Sequence, residues 1–312
     1  MVLLDLFDRL RGPLELKLVV AHLDHGIRGK ESEKDARLVE HEAKRRGIIF
    51  EQKKVAKNFF KGKGNFQDAA RRLRLGFFER VAKKHRASIV VTAHQADDRL
   101  ETFLMRLIRG AGLEGLKGMA EERPFFEGNI EVRLVRPLLF SSRDQILEYA
   151  RARKIAWRED RTNRNEQYLR NRVRLRIVKE MKRLNPRIVE NMAATLDSLQ
   201  QEEGWIDKEM QKSLKPHLRQ KKGEIRVALK WLESLDPVPR YRVYRRLFKL
   251  GELGLEGIGR VHLEALEGMV IAKNQKARLS LPRGFGVFLT PKQLVLKKWS
   301  RTRRPGKSGF FY

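Results

Sequence analysis

Three apolar runs, Leu16–Ala21, Ile48–Phe50 and Ala87–Thr92, alternate with longer stretches whose apolar residues recur at helical spacing. Runs this short, bounded by helices, read as buried strands. Strands joined through helical crossovers pair in parallel, because a tight hairpin cannot return the chain in the same direction. The alternation therefore confines the first half of the chain to an α/β fold: an open parallel sheet with helices on both faces. Ligands in such sheets bind beyond the carboxyl ends of the strands. His22 and His94 both sit at such ends.

The helices between these strands carry their own signals. Leu3, Leu4, Leu6, Phe7 and Leu10 give one apolar face to a segment from Met1 to Arg11, and Gly12-Pro13 stops it. Ser32 with Asp35 predicts a capped helix from Ser32 to Arg46, with Gly47 as its stop. Asn65 is placed to cap a long helix burying Phe66, Ala69, Leu73, Phe77 and Val81. Asp97–Arg109 and Ser142–Arg153 are the next two, with Arg136-Pro137-Leu138-Leu139 between them. Residues 1–160 thus read as one α/β domain. Residues 161–215 read as an arginine-rich helical connector and 216–300 as a smaller α+β domain. Helices near Arg240–Leu250 and Arg260–Ala272 and short strands near Arg278–Leu281, Gly286–Leu289 and Leu294–Leu296 build the latter. Residues 301–312 are a basic tail, in which Gly306-Lys307-Ser308 lacks the upstream glycine and following helix of a phosphate loop.

Charge narrows the partners. Lys and Arg number 69 against 39 acids, a net charge of +30, which repels itself in the folded state and favours a polyanion. Nucleic acid is the first choice. A membrane is not expected, since no apolar span of about 18 residues is present. The absence of cysteine excludes disulfides, thiolate zinc sites and thiol catalysis, and fits a cytoplasmic protein.

Two clusters carry chemistry. Thr92-Ala93-His94-Gln95-Ala96-Asp97-Asp98-Arg99-Leu100-Glu101-Thr102 opens the helix after the third strand. Asp98 and Glu101 share a helix face and lie in its first turn, where carboxylates complement the helix dipole. They are either a charged helix start or an acidic pocket for an ammonium or magnesium ion, with His94 beside it for a phosphate or a proton. From Arg161 to Arg187 there are ten basic residues and two acids. Within that stretch Arg170/Arg174 and Arg172/Arg176 form two helical stripes without the acids that would normally be interspersed. A nucleic-acid groove is favoured over a solvated face, and phosphate contacts there would be steeply salt-dependent. Arg71, Arg72 and Arg74 are either a solvated face or a phosphate fork. His22, Asp24 and His25 lack the further ligands that zinc needs, so no metal site is expected.

Taken in order, these motifs resemble a known family. His22-Leu23-Asp24-His25-Gly26-Ile27-Arg28, Ala69 to Arg74, Thr92 to Thr102 and Arg109-Gly110-x-Gly112-Leu113-x-Gly115-Leu116-x-Gly118-Met119 come first. Arg136 to Leu139, Trp157-x-Glu159-Asp160-x-Thr162-Asn163, Tyr168-x-Arg170-Asn171-Arg172-x-Arg174 and Asn185-Pro186 follow. The set is similar to tRNA(Ile)-lysidine synthetases of the PP-loop ATP pyrophosphatase group, over almost the whole chain and more loosely after about residue 200.

The resemblance implies an ATP-dependent ligase. The C2 oxygen of the wobble cytidine in isoleucine tRNA is adenylated and pyrophosphate leaves; the side-chain amine of lysine attacks C2 and AMP leaves. The product, lysidine, changes codon and amino-acid specificity. By position, the resemblance implies catalytic roles for His94, Arg71, Arg74, Arg170 and Arg174, and lysine binding by Asp98 and Glu101. It implies nucleotide contacts from His22, Arg109 and Gly110, and tRNA contacts from Arg172, Arg176, Lys182, Arg183, the second domain and the tail. ATP and Mg2+ are the implied cofactors. The implied partners are isoleucine tRNA with a CAU anticodon, free L-lysine and, for the chain itself, a homodimer. The family's serine-glycine-glycine-x-aspartate-serine loop, with the central strand before it, should immediately precede Met1 and has no copy elsewhere. The expectation is a misassigned start or a truncated chain. Gln67 and Leu75 stand where the family usually has glutamate and tyrosine. The rival readings are another PP-loop tRNA-modifying enzyme and a non-catalytic RNA-binding relative without the ATP loop.

Overall fold

Parallel pairing is the first feature of the computed structural model: β1 (Val19–Asp24) lies on β2 (Ile49–Lys54) with Val19 opposite Ile49, and β3 (Ile89–Val91) lies on β5 (Arg133–Val135). The structure describes all residues except 27–28, 57–58, 61–65, 126–131, 159–164, 222, 252–253, 255–256, 273–276 and 300–312. The side chains of 66–68 are likewise left undescribed. The basic tail and the cap expected at Asn65 lie outside the described residues. The chain forms two compact units, Met1–Glu203 and Gly204–Tyr312.

In the first unit, α1 (Val2–Leu10) and α2 (Lys30–Arg45) bracket β1 in sequence. Then come α3 (Phe66–Lys84) after β2, α4 (Ala96–Ile108) after β3, α5 (Leu113–Leu116), β4 (Glu122–Pro124), and α6 (Arg143–Ala152) after β5. A further helical run follows: α7 (Leu169–Arg172), a π-helical segment Val173–Val178, α8 (Lys179–Leu184) and α9 (Ile188–Leu214), which from Gly204 on belongs to the second unit. Strand β4 pairs antiparallel with β5, giving the order β3-β5-β4. Among the described residues the two sheets share no strand pairing, so β1 and β3 each keep an edge without a partner strand. Helix α2 packs on β1 and β2, and α3 packs on β1 and β3. Phe77 and Val81 of α3 join Leu23 and Val55 in one core cluster, as their spacing predicted.

Local departures from the sequence reading have physical reasons. β1 runs on to Asp24, so His22 lies inside the strand. The turn comes later because the Asp24 carboxylate accepts the Gly26 N–H at 2.8 Å and Gly26 takes φ +70°. A Cβ there would lie 2.4 Å from the Val55 carbonyl oxygen, so only glycine fits. Helix α2 begins two residues before Ser32, with Gly29 at φ +52° as its N-cap, and Ser32 is buried in its first turn. Helix α6 has the expected cap: the Ser142 hydroxyl accepts from Gln145 N at 3.3 Å, and Gln145 returns the bond to Ser142 N at 2.8 Å.

The second unit holds β6 (Leu218–Lys221), β7 (Glu224–Ala228), α10 (Leu229–Ser234), α11 (Pro237–Leu250), α12 (Arg260–Ile271), β8 (Arg278–Leu281), β9 (Phe285–Leu289) and β10 (Gln293–Lys298). The strands form one antiparallel sheet in the order β6-β7-β10-β9-β8. Ile225, Val227, Val287, Leu289, Leu294 and Leu296 face the helices, packing with Tyr244, Leu247, Phe248, Leu263 and Leu266. Within that core Arg240 donates to Glu267 at 2.7 Å, and the Tyr244 hydroxyl donates to the same carboxylate at 3.0 Å.

Candidate active site

Every carboxylate at the start of α4 has a cationic partner on a different helix. Asp97 accepts Lys182 Nζ of α8 at 2.9 Å and the backbone N–H of Arg143, which opens α6, at 2.7 Å. Asp98 accepts the Gln95 N–H at 3.0 Å, closing the helix start, and Arg170 Nη2 at 2.6 Å. Glu101, 1% exposed, takes Arg170 Nε at 2.7 Å and is gripped by Arg174 through Nε at 2.5 Å and Nη2 at 3.0 Å. A carboxylate this deep is tolerable only when its charge and lone pairs are met. Burial pulls the Arg174 guanidinium down, but the bonds from Glu101 and the charges of Glu101, Asp98 and Asp97 outweigh it and raise its pKa.

Beside this acidic pair lies a cationic cluster. His94 follows β3 and bonds the Thr92 hydroxyl through Nδ1 at 2.9 Å. Its pKa is pushed down to about 4, first by burial and then by Arg136, Arg74, Arg170 and Arg71. The ring is therefore neutral at pH 7. Burial is the first cause that lowers Arg74, Arg106, Arg123 and Arg136, and Arg71 adds to it in all four, with Arg170 also acting on Arg74 and Arg123 on Arg136. Arg136 is lowered to about 10 and stays charged. Arg71, Arg74 and Arg136 make no ion pair among the described residues. Guanidiniums that raise one another's energy form a site whose missing component is a polyanion.

The structure thus brings together His94, Arg71, Arg74, Asp98, Glu101, Arg170 and Arg174. Other predicted residues lie elsewhere. Arg109 and Gly110 follow the last turn of α4, roughly 18 Å along the helix from Asp97 at about 1.5 Å per residue. His22 lies within β1, its ring 6.5 Å from that of Phe50. Arg172 is exposed, Arg176 pairs with Glu166 at 2.5 Å and Arg183 with Glu180 at 3.0 Å. The two arginine stripes face different ways: Arg170 and Arg174 turn to the carboxylates of α4, while Arg172 and Arg176 are exposed.

Arg136 escapes the sequence reading as a site residue. Its signal was its position directly after β5, at a strand's carboxyl end. It donates to the Ala120 carbonyl at 2.5 Å. Arg106, half-buried, holds the glycine-rich segment after α4 through the carbonyls of Gly115 at 2.5 Å and Gly118 at 3.1 Å.

Comparison with known proteins then places the chain. The family model described as PP-loop domain matches residues 1–181. The chain belongs to the PP-loop domain family. This PP-loop chain is also 36% identical over 274 residues to a tRNA(Ile)-lysidine synthase of Geobacter sulfurreducens, covering 86% of this chain and 56% of that one. It is 34% identical to the protein of that name from Solibacter usitatus, covering 86% and 58%. With the one from Clostridioides difficile it shares 30% identity, over 94% and 63%. The PP-loop chain therefore spans somewhat more than half the length of these relatives. No described helix is long and apolar enough to cross a membrane.

Proposed function

We propose that this PP-loop chain acts in the ATP-dependent ligation of lysine to C2 of the wobble cytidine of an isoleucine tRNA with a CAU anticodon. The observation that carries this reading is the cluster of Arg71, Arg74, Arg136 and Arg170 around neutral His94, directly beside the Asp98–Glu101 pair. The relatives named above support it.

ATP supplies the adenylyl group that turns the C2 oxygen into a leaving group. The uncompensated guanidiniums of Arg71, Arg74 and Arg136 suit its phosphates, and they stabilise charge that builds on the α-phosphate as pyrophosphate departs. Asp98 and Glu101 hold the lysine side-chain ammonium. His94, kept neutral, offers a ring nitrogen for the proton released when the amine attacks C2 and AMP leaves. Among the described residues no group of three His, Asp or Glu side chains could hold a metal, so Mg2+ would enter on the phosphates. His22, Arg109 and Gly110 remain proposed nucleotide contacts. Arg172, Arg176, Lys182 and Arg183 remain proposed tRNA contacts, Lys182 while also holding Asp97.

The test is incorporation of radiolabelled lysine into an isoleucine tRNA transcript. ATP-dependent labelling that disappears when the anticodon CAU is changed is the expected result. Salt-sensitive tRNA binding without labelling would overturn the enzymatic reading in favour of an RNA-binding relative.

A further inference from the structure

From the end of α5 to β4 the chain leaves regular structure while staying half-buried. Main-chain oxygens in such a place need donors from outside a helix or sheet ladder. Arg106 supplies them to Gly115 at 2.5 Å and to Gly118 at 3.1 Å. The Arg136 guanidinium donates to Ala120 at 2.5 Å, and the Arg136 backbone N–H meets the Glu121 carbonyl at 2.9 Å. The two carbonyls between these, those of Lys117 and Met119, accept from a single atom, Gln200 Nε2, at 2.8 Å each.

Gln200 comes from α9, and its neighbours fix how that helix approaches. Leu196, fully buried, lies 3.8 Å from where a Cβ of Gly118 would stand. Asp197 holds Arg99 of α4 at 2.6 Å. One turn of α9 thus grips both α4 and the segment that follows it.

The segment bears on the site because its other two clamps stand in the cationic cluster. After burial, Arg136 is the first charge that lowers His94, and Arg71 acts on both Arg106 and Arg136. Arginines that repel one another do not converge unaided, and each gives up rotamer freedom to stay in place. Carbonyl oxygens hold them without cancelling their charge, which stays available to an anion. An amide suits the remaining position: it donates to two carbonyls and adds no further cation.

We infer that Gln200 is a positioning residue for the anion cluster: it seats the Lys117–Met119 turn, whose flanking carbonyls hold Arg136 in the cluster and Arg106 against it. The inference rests on the reading of that cluster as the site of the ATP phosphates.

The test uses the whole chain with inorganic triphosphate as the probe, followed by titration calorimetry. Gln200→Met keeps the side chain's length and loses both bonds, whereas Gln200→Lys keeps a donor. The expected result is about tenfold weaker triphosphate binding for Q200M, because the anion must then order two arginine side chains itself. Q200K should bind at least as tightly as wild type. The His94 ring-proton titration separates position from a general loss of stability. Its midpoint should rise from about 4 in Q200M, as Arg136 moves away, and should not rise in Q200K. Wild-type affinity in Q200M, an unmoved His94 midpoint in Q200M or an equal loss of affinity in Q200K would overturn the inference. Absence of triphosphate binding by the wild type would overturn it together with the reading of the cluster. Lysine labelling, measured in parallel, tells the two readings apart. A raised KM for ATP in Q200M supports both. Triphosphate binding that follows the expected pattern, with no labelling by the wild type, sinks the ligation and leaves Gln200 in its place.

Discussion

Arg174 Nε donates to Glu101 Oε1 at 2.5 Å, and these two side chains lie 73 residues apart in sequence. Arg170 grips the other oxygen of the same carboxylate at 2.7 Å. Glu101 is thus the charge that ties the arginine-rich run to the start of α4. Replacing it by glutamine leaves two guanidiniums facing each other with no anion between them. Glu101→Gln should lower the unfolding free energy in urea by about 3 kcal/mol, the scale for breaking one side of a buried pair. Asp98→Asn should lose less, since Asp98 is less deeply buried and keeps a backbone N–H. Equal or reversed losses would show that the tie does not run through Glu101.

The same pair sets up a kinetic split. Under the proposed function a lysine ammonium must share Asp98 and Glu101 with guanidiniums that already hold them. Arg174→Met frees Glu101 Oε1 while removing a cation from the reacting centre. The expected outcome in lysine labelling is a lower KM for lysine, with kcat reduced at least about tenfold. A raised KM with unchanged kcat would place Arg174 outside the chemistry.

Arg99 is 1% exposed and pairs with Asp197 of α9 at 2.6 Å. Its Nε and Nη1 have no hydrogen-bond partner, and its guanidinium lies 5.6 Å from the centre of the Phe140 ring. The arginine is a structural clasp between α4 and α9. Asp197→Ala strands its charge and should cost about 3 kcal/mol. Adding Arg99→Met to that variant should recover part of the loss, because the stranded charge goes with it. Thermal melts of the two single variants and the double would show this as strong non-additivity; simple addition would refute the clasp.

How much of this was legible follows from the range over which each signal acts. The i,i+3 spacing of Asp98 and Glu101 is local, so the acidic pair could be read directly. The Arg170/Arg174 stripe was equally visible, but its partner was not: nothing local links residue 174 to residue 101. Sequence alone therefore gives the two separate tasks, tRNA or catalysis for one and lysine for the other, whereas the structure bonds them. β4 and β5 have three residues each and include Arg123, Pro124 and Arg133, so no apolar run announced them. Without those strands Arg136 could not be recognised at a strand's carboxyl end. In the second unit alternation marked Arg278–Leu281 as a strand, while the row Arg219–Arg226–Val295–Phe288–Arg278 exists only through register.

His94 allows the cationic cluster to be tested without activity. Its pKa is about 4 in the folded protein against an ordinary 6.5, the direction set by burial and the arginines around it. Above pH 6.5 the ring is neutral in both folded and unfolded chains, so this group adds no pH dependence there. As pH falls from 6.5 towards 4 the unfolded chain takes up a proton that the folded chain refuses. Folding is therefore weakened across that window, by at most about 3 kcal/mol. In His94→Gln that part of the acid loss should vanish, leaving a flatter stability profile between pH 4 and 6.5. Inorganic triphosphate, if it binds among Arg71, Arg74 and Arg136, offsets the charges that hold the ring neutral. The His94 ring-proton NMR titration should then move up towards 6.5. A free protein in which His94 already titrates near 6.5, or a midpoint unmoved by saturating triphosphate, would show that the arginines do not form an anion site around it.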